Sequence, residues 1–264
     1  MDTAPPIPLQ PASGPPTPRL PGAARVIARE DIDDTFTALA ADLIIHASNC
    51  VRQFGDFHLA LSGGSTPMPF YRRLMVDPAY RDFPWKRTHL WMVDERRVPP
   101  EDDRFNYKHI NEILVEHSDI PKANAHPMEV LRTDADAAYE KELRAALSWR
   151  EKGHDRLDFV LLGMGNDGHT ASLFPNSPAI DVHDRLVVIN SGPKVTPPDR
   201  VTMTYRTINA ARFIAVLVSG DAKRAKIAEL AGGKSQVKDL PIAGIRPVGG
   251  ELRWYTDWAA LPRP

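Results

Sequence analysis

The chain has one cysteine, no long apolar run, no surplus of either charge and no internal repeat. Each absence excludes something. A lone thiol, Cys50, cannot close an intramolecular disulfide, which points to a reducing compartment, and in an apolar-periodic segment it is expected as a buried packing group. No stretch approaches the roughly 18 consecutive apolar residues of a membrane helix, so a soluble, cytoplasmic protein with no membrane partner is expected. With 33 Lys and Arg against 34 Asp and Glu, the formal charge of -1 gives no global field that would steer the protein onto nucleic acid. An anionic ligand has to be caught locally. The N-terminus lacks the basic start and apolar centre of a secretory signal and the arginines of a transit peptide. No heptad seam or sticky strand edge selects an oligomer, so monomer and dimer stay equally open.

What the N-terminus does have is proline, at Pro5, Pro6, Pro8, Pro11, Pro15, Pro16, Pro18 and Pro21. That density defeats regular backbone hydrogen bonding and predicts an extended, polyproline-like arm over residues 1–24. From Arg25 to the C-terminus at 264 the composition is that of one folded domain.

Short apolar runs alternate there with segments of helical period. The strand candidates are RVIARE, FHLAL, THLWMVDE, LDFVLLGMG, RLVVINSG, RVTMTY and RFIAVLVSG. Helices are expected after Asp31 or Asp33 as N-cap, with Phe36, Leu39, Leu43 and Ala47 on one face, and over Tyr107 to Glu116, Ala135 to Trp149 and Ala222 to Leu230. The alternation predicts an α/β fold, a mostly parallel sheet flanked by helices. The Gly- and Pro-rich INSGPKVTPPDR, lying between two apolar strands, is read as a long loop of the same domain. Several strands end in small or polar residues: Ser62-Gly63-Gly64, Asp94-Glu95-Arg96, Gly163-Met164-Gly165 and Ser219-Gly220-Asp221. Ligands of open α/β sheets gather at such carboxyl ends.

Two glycine motifs invite a nucleotide reading, and both fail on context. Gly163-x-Gly165-x-x-Gly168 has dinucleotide spacing, but Pro175 would cut short the required helix and the next strand ends in Asn190 where a ribose-binding acid belongs. Gly232 to Ser235, GGKS, resembles the end of a P-loop, but it follows a helix and lacks the first glycine, so it is read as a glycine-capped helix end. No cofactor is therefore expected. LALSGGSTP is different: an apolar strand runs into Ser62, Gly63, Gly64, Ser65 and Thr66 and then a proline suited to a first helical turn. Such a turn offers backbone N–H groups, hydroxyls and a helix N-terminus to an anion. Arg200 and Lys223 are further phosphate donors by position.

In GNDGHTASLFP, His169 sits in a loop of short side chains at a strand end, where an imidazole can serve as a base, and Asp167 is placed to orient it. A metal is not expected, because no second His or Cys stands at ligand spacing. In VDERRVPPEDDRFNY, most of the charge reads as a solvated cluster. Asp94, Glu95 and Arg96 stand apart, at the carboxyl edge of a strand, where Arg96 can steady an anion.

Taken together, LALSGGSTP, VDERRVP, FNY, LLGMGNDGHTASLFP, PPDRVTMTY and VSGDAKRAKI resemble the 6-phosphogluconolactonase family, in family order and over nearly the whole globular part. The resemblance implies a modified Rossmann-like fold and metal-free hydrolysis of 6-phospho-D-glucono-1,5-lactone to 6-phosphogluconate, the second step of the oxidative pentose phosphate pathway. It implies His169 as general base with Asp167 beside it, and the phosphate on Ser62 to Thr66 with support from Arg200 and Lys223. Asp94, Glu95 and Arg96 fall on its acidic-arginine block. The oxyanion is left to Arg96 or to backbone N–H groups near Gly163 to Gly165. Phe105 departs from the serine common before Asn-Tyr, and only Trp and Asp of the usual closing pattern survive in WYTDWAAL. The related glucosamine-6-phosphate isomerase/deaminase and a non-catalytic sugar-phosphate sensor are the rival readings. The first lacks its carboxylate between Thr170 and Pro175, and the second a DNA-binding segment.

Overall fold

In the computed structural model, residues 14–148, 155–263 are described. Seven strands form the main sheet: β1 (Arg25–Arg29), β2 (Phe57–Leu61), β3 (Thr88–Met92), β5 (Ala125–His126), β6 (Phe159–Leu162), β9 (Phe213–Val218) and β10 (Glu251–Asp257). Their order is β1-β10-β9-β6-β2-β3-β5, and every pairing is parallel. β2, β6 and β9 are buried at every position, which is why β6 and β9 read as unbroken apolar runs and β2 as one interrupted only by His58. The expected mostly parallel, helix-flanked sheet is the one found.

Helix α1 (Ile32–Phe54) takes Asp31 as its N-cap, whose carboxylate accepts the Asp34 N–H at 2.9 Å, and ends on Gly55 in the left-handed region. Its buried stripe includes Phe36, Leu39, Leu43, Ala47 and Cys50. Helix α2 (Pro67–Val76) starts on its proline, as the sequence predicts. Helix α4 (Ala135–Leu147) falls on its candidate, whose last residue, Trp149, is outside the described residues. The expected single helix over 107–116 is two pieces, α3 (Asn106–Ile110) and a wider π-helical turn at Asn111–Val115, where the Glu116 N–H reaches back to the Asn111 carbonyl. Helix α5 (Tyr205–Ala210) is short, and α6 (Arg224–Ala231) follows a 3-10 turn at Asp221–Lys223. The GGKS segment caps α6, with Gly233 at positive φ.

Two features depart from expectation. The strands β7 (Val187–Ser191) and β8 (Asp199–Met203) leave the parallel sheet and join β4 (Asp94–Arg96) in a separate antiparallel sheet, β4-β8-β7. The cause is local: only Val93 separates β4 from β3, and it is held on both sides, donating to the Leu61 carbonyl and accepting from Met203 N–H. The small sheet thereby stands at the carboxyl edge of the large one. Strand β10, not expected at all, lies inside the main sheet between β1 and β9. Packing also reaches back across the boundary expected at residue 24, since Leu20 is buried and the Ala24 N–H donates to Leu252. Residues 1–13 of the proline-rich arm lie outside the described residues. No helix among the described residues is long and apolar enough to cross a membrane.

Candidate active site

The carboxyl ends of β2, β6 and β9 and the edge of the small sheet enclose a cavity of about 350 Å³. Its lining brings together Ser62, Gly63, Gly64, Ser65, Thr66, Asp94, Arg96, His169, Arg200 and Lys223.

The turn after β2 is anchored from below, where Tyr71 Oη donates to the Ser62 carbonyl at 2.8 Å. Gly64 has φ +100, and the place a side chain would take at Gly63 is filled by the Asn106 amide, 1.9 Å from an ideal Cβ. Both glycines are thus required by geometry. Ser62 Oγ is buried and has no hydrogen-bond partner among the described residues.

The loop after β6 folds on itself. Gly165 N–H donates to the His169 carbonyl at 2.8 Å, Gly168 N–H to Gly165 at 3.1 Å, and Thr170 Oγ to Gly163 at 2.8 Å. This closes the tight turn that carries His169, whose Nδ1 lies 2.5 Å from Asp167 Oδ1. Burial pushes the Asp167 carboxyl up, but the bond to His169 and the charge of that ring outweigh it and hold the group at about 2. Asp167 is therefore ionised at neutral pH and only accepts, so the neutral form of the ring carries its proton on Nδ1 and its lone pair on Nε2. The His169 side chain is 27% exposed, reachable from the cavity. Asp167 stands behind it, outside the lining. An alanine at Gly165 would put Cβ 2.2 Å from the His169 ring and 2.8 Å from Asp167 Oδ1. Gly165→Ala is expected to displace the imidazole and lower kcat by about 10²-fold with little change in KM, measured by steady-state kinetics.

Asp94 and Arg96 project from β4 on the cavity side. Ser172 Oγ donates to Asp94 Oδ2 at 2.6 Å, and Arg96 Nη1 to the Arg104 carbonyl at 2.6 Å. Arg96 is paired in register with Arg200 of β8. Two guanidinium groups directly across a ladder repel unless something negative lies between them. Arg200 is 5% exposed, and its Nε and Nη1 have no hydrogen-bond partner among the described residues. Burial pushes it down to about 10, against the pull of Asp94. Phe174 lies between His169 and Arg200: its ring centroid is 5.0 Å from that of His169 and 5.9 Å from Arg200 Cζ. Lys223 Nζ donates to Asn166 Oδ1 at 2.5 Å, and burial lowers this amine while Asp167 raises it.

Glu95 is not part of the lining. It is fully buried, and its carboxyl accepts Arg96 N–H and Asn106 N–H on Oε1 and Tyr107 N–H on Oε2. Burial pushes it up to about 8, against those three donors. The folded chain then keeps a proton that the unfolded chain has already lost above its ordinary value near 4.5, so Glu95 costs stability progressively as pH rises from there towards 8. Chemical denaturation at pH 5 and pH 7.5 is expected to show a loss in the wild type that Glu95→Gln, which cannot ionise, reduces.

Sequence reasoning did not single out Asn106, Ser172, Phe174 or Thr196 as site residues, yet all line the cavity. The first three stand in the quoted motifs FNY and HTASLFP, which was the available signal. The one group of side chains among the described residues spaced as potential metal ligands, Asp56, His58 and His89, is away from this lining. There Trp91 Nε1 donates to His58 Nδ1 at 3.0 Å, which puts the His58 proton on Nε2, facing Asp56.

The model of the family described as glucosamine-6-phosphate isomerases/6-phosphogluconolactonase matches residues 30–254. The chain belongs to this family. Among curated glucosamine-6-phosphate isomerase/6-phosphogluconolactonase relatives, the human GDH/6PGL endoplasmic bifunctional protein is 40% identical over 87% of the chain, which spans only 29% of that protein's length. The 6-phosphogluconolactonase of Synechocystis is 37% identical, over 81% of the chain and 87% of the relative. Among solved structures, 6-phosphogluconolactonase from Thermotoga maritima superimposes with a TM-score of 0.75 at 28% identity, covering 88% of this chain and 98% of that one. That from Trypanosoma cruzi gives 0.79 at 25%, covering 91% and 97%.

Proposed function

We propose that the chain hydrolyses 6-phospho-D-glucono-1,5-lactone to 6-phosphogluconate. One observation carries this reading: a single cavity holds an imidazole with an oriented lone pair and, across Phe174, a buried arginine whose donors await an anion. A lactone that bears a phosphate at its far end needs both.

In this mechanism the phosphate sits on the Ser62–Thr66 turn, Arg200 and Lys223, at the N-terminus of α2. That fixes the ring with C1 towards His169 without touching the reacting bond. Nε2 takes a proton from water as the oxygen attacks C1. The tetrahedral oxyanion collapses, the C1–O5 bond breaks, and the proton held on His169 passes to O5. Asp167 fixes the tautomer and steadies the imidazolium. For the oxyanion, Gly165 N–H is committed to the His169 carbonyl, which leaves Arg96 or the N–H groups of Gly163 and Met164. The residues that carry these steps need neither metal nor cofactor. The lone buried thiol, Cys50, supports a reducing, cytoplasmic setting.

The test is a paired assay. Purified protein is given freshly generated lactone, with the spontaneous reaction subtracted, and separately glucosamine 6-phosphate. Accelerated lactone loss without ammonia release is expected. Ammonia release would move the assignment to the deaminase branch of the family, and binding without either product would make the chain a sensor.

A further inference from the structure

Glu95 is flanked by cavity residues on both sides, Asp94 and Arg96, yet strand alternation turns it away from the cavity and buries it completely. Its surroundings show what it does there. The first turn of α3 begins at Phe105, which supplies no side-chain cap, so the N–H groups of Asn106 and Tyr107 would be left unsatisfied in the interior. Glu95 reaches across from β4 and takes both, at 2.7 and 2.8 Å, together with its neighbour Arg96 N–H at 2.8 Å. A carboxyl group distant in sequence is the cap of this helix.

What the cap positions is Asn106. Asn106 is 2% exposed; its amide donates from Nδ2 to the Asp94 carbonyl at 3.1 Å and occupies the notch left by the missing side chain of Gly63. A continuous line of contacts therefore runs from Glu95 through the start of α3 to the middle of the Ser62–Thr66 turn. The base is held by other means: Asp167, the folded loop around Gly165, and Phe174.

We propose that Glu95 is a positioning residue for substrate binding, which through Asn106 sets the shape of the anion-holding turn and so governs affinity for the phosphate end of the substrate, not the chemical step. The inference rests on the reading of Ser62–Thr66 as the phosphate site. Glutamine in place of Glu95 keeps the volume and leaves Oε1 to accept from Arg96 and Asn106. It turns an NH₂ onto the Tyr107 N–H, so the cap loses one acceptor whatever the ionisation state of the native carboxyl.

The experiment compares wild type, Glu95→Gln, Asn106→Ala and the double variant by steady-state kinetics on the lactone and by calorimetric titration with 6-phosphogluconate. Circular dichroism reports folding. Glu95→Gln is expected to raise KM and weaken 6-phosphogluconate binding by about tenfold, with kcat changed less than about threefold. The double variant is expected to be no worse than the poorer single one, because both act on one link. An unchanged KM, a loss confined to kcat, or fully additive effects would overturn the inference. If Glu95→Gln fails to fold, Glu95→Asp, which keeps both oxygens but draws them back from the start of α3, is read the same way: a raised KM with kcat held supports the inference, and an unchanged KM overturns it. A wild type that neither turns over the lactone nor binds 6-phosphogluconate would refute the functional reading, and the inference with it. A competent wild type beside an indifferent Glu95→Gln would refute the inference alone.

Discussion

Replacing His169 by Ala is expected to lower kcat on the phosphorylated lactone by about 10²- to 10⁴-fold while leaving 6-phosphogluconate affinity within about threefold. The imidazole touches the proposed reaction only through Nε2, where the lone pair stays available because Asp167 holds the proton on Nδ1. Removing the ring therefore withdraws the acceptor for the water's proton but leaves the Ser62–Thr66 turn and Arg200 in place. Gly165, which packs against the ring at close range, keeps its own N–H bond to the carbonyl of residue 169, a backbone contact that alanine preserves. The loop should keep its shape. Steady-state kinetics corrected for spontaneous hydrolysis, with titration of the product on the same sample, separate the two effects. Asp167→Asn should fall in the same direction by a smaller factor, since the ring remains but its tautomer is no longer dictated.

Arg200→Met is expected to act in two opposite directions. The guanidinium is 5% exposed, faces Arg96 across the ladder, and has no hydrogen-bond partner on Nε or Nη1 among the described residues. Such a group is a liability until an anion arrives, and exchanging a buried, poorly satisfied charge for an apolar side chain of similar size is often stabilising, by about 1–4 kcal/mol. The melting temperature of the ligand-free protein should rise. Binding should suffer, because a charge-assisted hydrogen bond is worth about 1.5–3 kcal/mol and two are lost, giving a KM raised by about 10²-fold or more. Lysine is not a substitute: its single ammonium cannot reproduce the planar fork. Thermal denaturation with and without 6-phosphogluconate checks both halves. A variant that loses stability while keeping KM would make Arg200 a structural residue.

The parts of the fold legible in the sequence are those in which one physical demand dominates. β2, β6 and β9 are buried at every position and so are apolar but for His58 of β2; α1 has a stripe, a cap and a terminal glycine. β10 was hidden because its composition answers several demands at once. Arg253 lies over Phe213 and pairs with Asp42 and Glu251, and Asp257 accepts the Gly220 and Ala260 N–H groups, so charged residues sit in a strand inside the sheet. Similarly, β7 and β8 carry the apolar pattern of sheet strands, and nothing in that pattern distinguishes a parallel from an antiparallel partner.

In the site, Ser62 to Thr66 and the His169 loop were legible because short residues, glycines and a titratable group are concentrated in each. Period-two alternation also contained the signal that Glu95 faces away from its neighbours Asp94 and Arg96. The FNY motif marked Asn106, but its place beside Gly63 depends on how α3 docks, a relation that no local spacing encodes.

In the proposed reaction one cavity couples an anion anchor to a general base. Initial rates on 6-phospho-D-glucono-1,5-lactone and on the unphosphorylated glucono-1,5-lactone, each corrected for uncatalysed hydrolysis, test it most directly. Catalysis of the first with kcat/KM higher by about 10³-fold or more is the expected result, because the phosphate contacts are what hold the ring in place for reaction. Equal rates on the two lactones, or no acceleration of either, would contradict it.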